Sequence, residues 1–443
     1  MRTGPPTAYA RAVSAEQAPE ISTAIPAVRD LSGVRERFPG LARTDGGRAV
    51  VFADAPGGTQ VPESVIDAIA RYLRSTNANL GGAFPTSRRS DEVVAEARQA
   101  AADLLGSGAD EIVFGQNTTS LAFHISRAIG RTLGPGDEVV VTVLDHDANV
   151  APWARAASDA GATVRTVDIR PQDCTLDLDA LDAVLTDRTR MVAFTLASNA
   201  VGTITPAADV VERIHEAGAL AVADAVHFAP HAPLDVAALG VDLMFASPYK
   251  FFGPHLGVAF GRKDLLERWD PSKVRPAPDD VPWRWETGTL NHEGLAGLRA
   301  AVDYLAGLGT EFGSATRAAP RRERLRAGME AIRAYEGSLT RRFLEAVPEV
   351  RGLSLYGIAD PGRWPERTPT FALRLRDRHP GAVAEELGHC GIYVWDGNYY
   401  ALSLMERLGL EETGGAVRVG FCHYNSADEV DRTVEELTRI ARG

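Results

Sequence analysis

Residues 219–250 read ALAVADAVHFAPHAPLDVAALGVDLMFASPYK. Two largely apolar runs, ALAVADA and VDLMFAS, end in polar residues: Asp224 near the end of the first with His227 just past it, Ser247 closing the second with Tyr249 and Lys250 just past it. Runs with no polar face suit strands covered on both sides, and sheets covered on both sides are mostly parallel. Four more such runs precede them: EIVFG (111–115), DEVVVTVLD (137–145), ATVRTVDI (162–169) and RMVAFTLAS (190–198). Most are separated by helical segments such as LAFHISRAIG and AADVVERIHEAG. This alternation predicts an α/β domain built on a largely parallel sheet, placed at 40–300. Within it, DEVVAEARQAAADLLG is expected to be a helix from Asp91, capped by Ser90 and stopped by Gly106.

Outward from that domain the pattern changes. From about residue 315 an Arg-rich helical run, ATRAAPRRERLRAGMEAIRAYEG, is followed by short strands and a last helix, DEVDRTVEELTRIARG. These predict a smaller α+β domain over 301–443, which residues 29–39 join. Residues 1–28, rich in Ala, Pro and Ser, are expected to form a mobile or loosely packed extension.

The composition narrows the function. With 59 acidic against 47 basic residues, a general affinity for nucleic acid or an anionic membrane surface is disfavoured. No apolar run is long enough to span a membrane, and the start lacks the pattern of a secretory signal. Cys174, Cys390 and Cys422 are too scattered for a disulfide framework or a zinc site, so no metal centre is expected and a reducing cytoplasm fits. Only Lys250, Lys263 and Lys273 among the 47 basic residues are lysines. Arginine does not lose its proton in a protein, whereas a desolvated lysine becomes a nucleophilic amine. Lys263 and Lys273 have polar, turn-like neighbours and are expected at the surface; Lys250 follows an apolar run and has aromatic neighbours.

In open α/β sheets, ligands lie at the carboxyl ends of the strands. Thr118 and Thr119 open a helix after EIVFG, where free N–H groups suit a phosphate. His146 follows the second run and Asn199 the fourth, and Asp224 lies near the end of the fifth. Each has a plain structural reading when taken singly: a cap, a hydrogen-bonded core histidine, a turn, a carboxylate facing a cation. Together they match pyridoxal phosphate, which needs a lysine for its aldehyde, an acid at its ring nitrogen, a donor to its phenolic oxygen, a ring against its face and a phosphate cup. Lys250, Asp224, Asn199, His146 and Thr118–Thr119 supply one of each.

In order and spacing these segments resemble the class V, fold-type I pyridoxal-phosphate enzymes of the cysteine-desulfurase-like group, from about residue 36 to the C-terminus. The resemblance implies a mostly parallel seven-stranded sheet between helices, plus a smaller α+β domain. It implies catalytic roles for Lys250, His146 and Asp224. HDANVAPW would place His146 on the cofactor ring, SNAVGT would place Asn199 at its phenolic oxygen, and DAVH would place Asp224 at its nitrogen with His227 near the phenolic oxygen or the lysine. SPYK would supply Ser247 to the phosphate and Lys250 to the aldehyde, with Tyr249 where the family usually has histidine. ETGT implies that Thr289 reaches the phosphate of a neighbouring subunit, hence a homodimer with shared sites. VRVGFCHYN implies that Arg418 clamps a substrate carboxylate.

One departure bears on the reaction. Where cysteine desulfurases carry an Arg-x-Gly-x-x-Cys loop, this chain has WDGNYYALSLM, with Tyr400 in the place of the cysteine. Relatives without that thiol include C–S lyases of ergothioneine and lincosamide biosynthesis. The expectation is therefore β-elimination from an S-substituted cysteine conjugate in secondary metabolism. A decarboxylating or oxidative deaminase and an aminotransferase are the alternatives. Trp395, Tyr399 and Tyr400, with Trp283 and Trp285, are expected either to stack on a bulky substituent or to pack a dimer interface.

Overall fold

All six runs form strands in the computed structural model, which describes residues 28–442; residues 1–27 of the expected extension lie outside the described residues. They are β1 (Ile112–Gly115), β2 (Glu138–Thr142), β3 (Thr163–Val167), β4 (Thr189–Thr195), β5 (Leu220–Asp224) and β6 (Leu243–Ala246). The seventh strand that the resemblance implies is β7 (Gly257–Gly261), which was not located in the sequence because GVAFG begins and ends in glycine. The sheet order is β1-β7-β6-β5-β4-β2-β3. From β6 across to β3 the neighbours are parallel, while β7 runs antiparallel to both β6 and β1. An antiparallel neighbour needs no crossover helix, so the chain returns from β6 through a short connection, and that connection carries Lys250. A Cβ on Gly257 would lie 2.4 Å from the Asn117 carbonyl carbon. Only glycine lets β7 begin this close to the loop after β1.

Burial on both faces holds for the inner strands but not for β3. Thr163–Thr166 are exposed, because β3 is the outermost strand and lacks a neighbour on one side.

The principal helices are α1 (Glu63–Ser75), α2 (Pro85–Leu105), α3 (Thr118–Gly130), α4 (Ala207–Glu216), α5 (His292–Glu311), α6 (Arg321–Ala346) and α7 (Ala427–Arg442). The start of α2 corrects the expectation at Ser90. The helix begins at Pro85, whose fixed φ and missing N–H suit a first helical position, and Ser90 lies buried inside it, its Oγ 2.8 Å from the Tyr72 hydroxyl. Gly106 ends α2 as expected, in the left-handed conformation at φ 79°. Likewise Asn117, rather than a threonine, caps α3 by accepting the Ser120 N–H at 2.8 Å.

A second sheet holds β8 (Leu353–Tyr356), β9 (Thr370–Leu375), β10 (Trp395–Gly397) and β11 (Ala416–Gly420) in the order β8-β9-β11-β10, antiparallel throughout. Cys422 falls just past β11, not within it. Near the chain start, Arg35 binds the Tyr424 carbonyl at 2.8 Å and Glu429 at 2.9 Å, which fastens that segment to the C-terminal elements. No helix among the described residues is long and apolar enough to cross a membrane.

Arg98 of α2 makes a buried two-pronged pair with Glu286, at 2.7 and 2.9 Å. Glu286 also accepts the Phe114 N–H at 2.9 Å, and Arg98 donates to the Ile112 carbonyl at 2.7 Å, so one pair ties α2, β1 and the segment before α5. The Arg98→Ala variant, which leaves the Glu286 carboxylate buried without its cation, should lose about 3–5 kcal/mol of stability, measured by urea unfolding.

Candidate active site

The carboxyl ends of β1, β2, β4, β5 and β6 open on one cavity of about 720 Å³, closed on the other side by β10, β11 and the loop after β10. Thr118, Thr119, His146, Asn199, Asp224, His227, Ser247, Tyr249 and Lys250 all line it, as do Trp395, Tyr399, Tyr400 and Arg418. Thr289 does not. It is exposed and lines a second cavity with His124, Arg127 and Trp285. Trp285 is a core residue that donates to the Leu266 carbonyl at 3.0 Å, and the Trp283 ring packs on Arg98 at 4.6 Å, so neither tryptophan shapes the main cavity.

At one end of the cavity, the Thr118 hydroxyl lies 2.5 Å from Ser247 Oγ and donates to the Ala246 carbonyl at 3.1 Å. The first turn of α3 stands beside them, so hydroxyls and unpaired N–H groups together form an anion cup. Lys250 follows Ser247 in a single 3-10 turn, and its Nζ donates to the Pro56 carbonyl, 5.0 Å from the centre of the Tyr249 ring. The amine is largely desolvated, which lowers its pKa to about 7; the Arg418 charge acts in the same direction, and Asp224 and Asp54 oppose it. The other two lysines differ. Lys263 is exposed and paired with Asp110, while Lys273 is more covered than expected and bonds the Ala277 carbonyl and Asp279.

Two carboxylates, Asp224 and Asp54, act on this amine, and a third, Asp145, lies behind Asp224. Burial raises Asp224 to about 6, against the Val226 N–H at 2.7 Å and the Lys250 charge, which lower it. Asp54 is likewise raised to about 6 by burial, opposed by its own N–H, Arg418 and Lys250, and its Oδ1 has no partner. Asp145 is pushed up to about 8 by burial, despite the Asn149 amide at 2.7 Å and the Thr142 hydroxyl. Asp54 and Asp145 were missed in the sequence. Asp145 adjoins His146 and so could have been noticed, whereas Asp54 is distant in the chain from every other site residue.

The His146 Nδ1 accepts the Ala148 N–H at 3.0 Å, which leaves the proton on Nε2. Burial, then the Lys250 and Arg418 charges, lower this ring to about 4, so it is neutral at ordinary pH. Its face stacks on Tyr400, with centroids 5.5 Å apart and planes 26° from parallel. The His227 Nε2 sits between the hydroxyls of Thr368 and Thr370, at 3.1 and 3.0 Å, which leaves Nδ1 as the nitrogen free of those bonds.

At the opposite end, Arg418 is buried without a carboxylate within 4 Å among the described residues. One Nη donates to the Asn199 carbonyl at 2.9 Å, the guanidinium packs 4.3 Å from the Tyr399 ring centre, and Nε has no partner. Asn199 donates through Nδ2 to the Tyr399 carbonyl at 2.9 Å, and its Oδ1 is buried and unpartnered. Buried polar atoms are rarely left unmatched, so Asn199 Oδ1 and Arg418 Nε mark places for ligand groups. The donor set fits pyridoxal phosphate: the cup would take the phosphate, His146 a ring face, Asp224 the ring nitrogen, and the second hydrogen of Asn199 Nδ2 the phenolic oxygen.

The family model described as aminotransferase class-V matches residues 51–319 and 322–433. A cysteine desulfurase of Pectobacterium atrosepticum is 32% identical over 425 residues, covering 92% of this chain and 97% of its own length. One of Klebsiella pneumoniae is 33% identical over 423 residues, with 92% and 97% covered. Among solved structures, the apo cysteine desulfurase of Thermococcus onnurineus NA1 superposes with a TM-score of 0.82 at 26% identity, covering 94% of this chain and 99% of its own. The Escherichia coli cysteine desulfurase CsdA gives 0.79, also at 26%, with 94% and 99% covered.

The lowered pKa of Lys250 sets a pH dependence. Only the neutral amine attacks an aldehyde, and its fraction grows as pH rises through the folded pKa. Covalent capture of pyridoxal phosphate by the apo protein should therefore accelerate up to pH about 7 and level off above it. Stopped-flow absorbance across pH 5–10 measures this; a rate that keeps climbing tenfold per unit above pH 8 would contradict it.

Proposed function

Because the chain belongs to the aminotransferase class-V family, whose enzymes use pyridoxal 5'-phosphate, we propose that it is a C–S lyase acting by β-elimination on an S-substituted cysteine conjugate. The observation that carries this reading is the absence of a protein thiol from a cavity that otherwise holds a reactive amine and a free guanidinium. None of the three cysteines lines it. Cys174 is buried elsewhere, with its thiol pushed up to about 11, burial raises Cys422 as well, and Cys390 lies 3.3 Å from Arg439. Accepting sulfur from a substrate requires a thiolate at the reacting centre. Elimination does not, since the sulfur leaves with the substituent.

The roles follow from position. When bound, the cofactor supplies an electron sink for charge that develops at the substrate Cα. Arg418 pairs its free Nε and second Nη with the substrate carboxylate, which fixes the orientation of Cα. Lys250, neutral near pH 7, removes the Cα proton as general base. Asp224 holds the proton on the ring nitrogen, and neutral His146 presents a flat face. The Cβ–S bond then breaks with its electron pair going to sulfur, a thiol departs past Trp395 and Tyr400, and the three-carbon remainder hydrolyses to pyruvate and ammonia.

Thr289 fits the same reading as a contribution to the site of a second copy. It is exposed in its own cavity and takes no part in the main one. A homodimer is therefore part of the proposal, and a monomer mass from light scattering would remove it. Three unpaired cysteines suit a reducing cytoplasm.

Incubation with an S-alkylcysteine should yield pyruvate, ammonia and free thiol in equal amounts. An aldehyde with carbon dioxide would mean a decarboxylating or oxidative deaminase instead, and accumulation of the cofactor's amine form would mean an aminotransferase. The Lys250→Ala variant should lose about 10²- to 10⁴-fold in turnover, read by the same product assay.

A further inference from the structure

Tyr399 and Tyr400 both have positive φ, 56° and 59°. Non-glycine residues in this region carry a steric penalty, and two in succession persist only where their surroundings fix them. Here the surroundings are specific. Consecutive residues of one helical hand point their carbonyls the same way, and the two carbonyls accept from two different loops: Tyr399 O from Asn199 Nδ2 at 2.9 Å, Tyr400 O from the Asp147 N–H at 2.7 Å. The rings follow the same division. Tyr399 lies 4.3 Å under the Arg418 guanidinium, and its hydroxyl is anchored on the Ala416 carbonyl. Tyr400, which is 72% exposed, covers one face of His146.

We propose that Tyr399 and Tyr400 form a fixed strap across the cavity, with Tyr399 positioning the carboxylate clamp Arg418 and Tyr400 positioning His146 against the cofactor ring. This deepens the proposed function and rests on its reading of the cavity as a pyridoxal-phosphate site. With the Tyr400 ring stacked on one face of His146, the other face is the one left for a flat ligand. Stacking restricts the tilt of the imidazole, as does the Nδ1 bond to Ala148, so the histidine meets the cofactor already oriented. Tyr399 acts at the other end, holding a desolvated guanidinium by its ring face while leaving Nε free. The two tyrosines are thus positioning residues with separable effects.

The test uses the full chain and two equilibrium constants: that of pyridoxal phosphate, and that of L-alanine read from the bound cofactor's absorbance. The Tyr400→Ala variant should weaken cofactor binding about three- to tenfold and diminish the cofactor's visible circular dichroism, and Tyr400→Phe should restore both. Tyr399→Leu should keep the cofactor constant within about twofold and weaken L-alanine about three- to tenfold. If wild-type protein captures no pyridoxal phosphate, the reading of the cavity fails and the strap's role fails with it. If wild type binds and Tyr400→Ala binds equally well, or only melts at a lower temperature, the strap alone is overturned. Tighter binding by Tyr400→Ala would also overturn it, because the ring would then occupy the ligand's place.

Discussion

Two cationic side chains, Lys250 and Arg418, face one desolvated cavity, and neither has an ion-pair partner within 4 Å among the described residues. Burial lowers the proton affinity of both, the Arg418 charge lowers that of Lys250 further, and Lys250 gives way first because an ammonium can shed its proton while a guanidinium holds it. The surrounding fold keeps them there. Lys250 sits on the short return between two adjacent strands of the large sheet, and Arg418 lies in the middle of a buried strand of the small one. Their separation is fixed by how the two sheets meet, and under the proposed function that separation is the length available to an amino-acid substrate.

The carboxylates near the cavity are raised by burial rather than lowered by pairing. Asp145, the most strongly raised, is held by Thr142 and Asn149, and Asn149 in turn accepts from the Trp153 indole at 3.0 Å. A protonated Asp145 adds no charge next to Asp224, so Asp224 is the carboxylate left to ionise near neutrality, as its proposed role at a cofactor ring nitrogen requires. The arrangement divides two neighbouring acids into one that stays protonated and one that ionises, by environment alone.

Much of this was visible in the chain because the chemistry sits where strands end. His146 and Asn199 directly follow their runs, Asp224 and Ser247 lie at the ends of theirs, and Lys250 comes three residues after Ser247, so locating the runs located the residues. What stayed hidden has a physical cause in each case. Strand β7 begins and ends in glycine, a residue that weakens a strand pattern, and its place in the sheet depends on a close approach to Asn117. The early start of α2 was obscured by the polar stretch after Pro85, whose serines face inward to Tyr72 and to the Asn79 and Gly82 backbone. Asp54 and the Pro56 carbonyl reach the amine from a segment nearly two hundred positions away, which no local pattern records. The left-handed pair at 399 and 400 carries neither glycine nor asparagine, the usual signals of that conformation.

The exposed border strand β3 has a bearing on solubility. Its outer side presents amides and carbonyls with no neighbouring strand, a template on which another molecule's extended segment can add. Arg165 stands in the middle of that stretch, held by Glu138, which also grips Arg188 and Thr186. A fixed cation there repels a like surface and costs any incoming strand a desolvated charge. Arg165 is thus the charge that any edge-to-edge association at this border would have to desolvate.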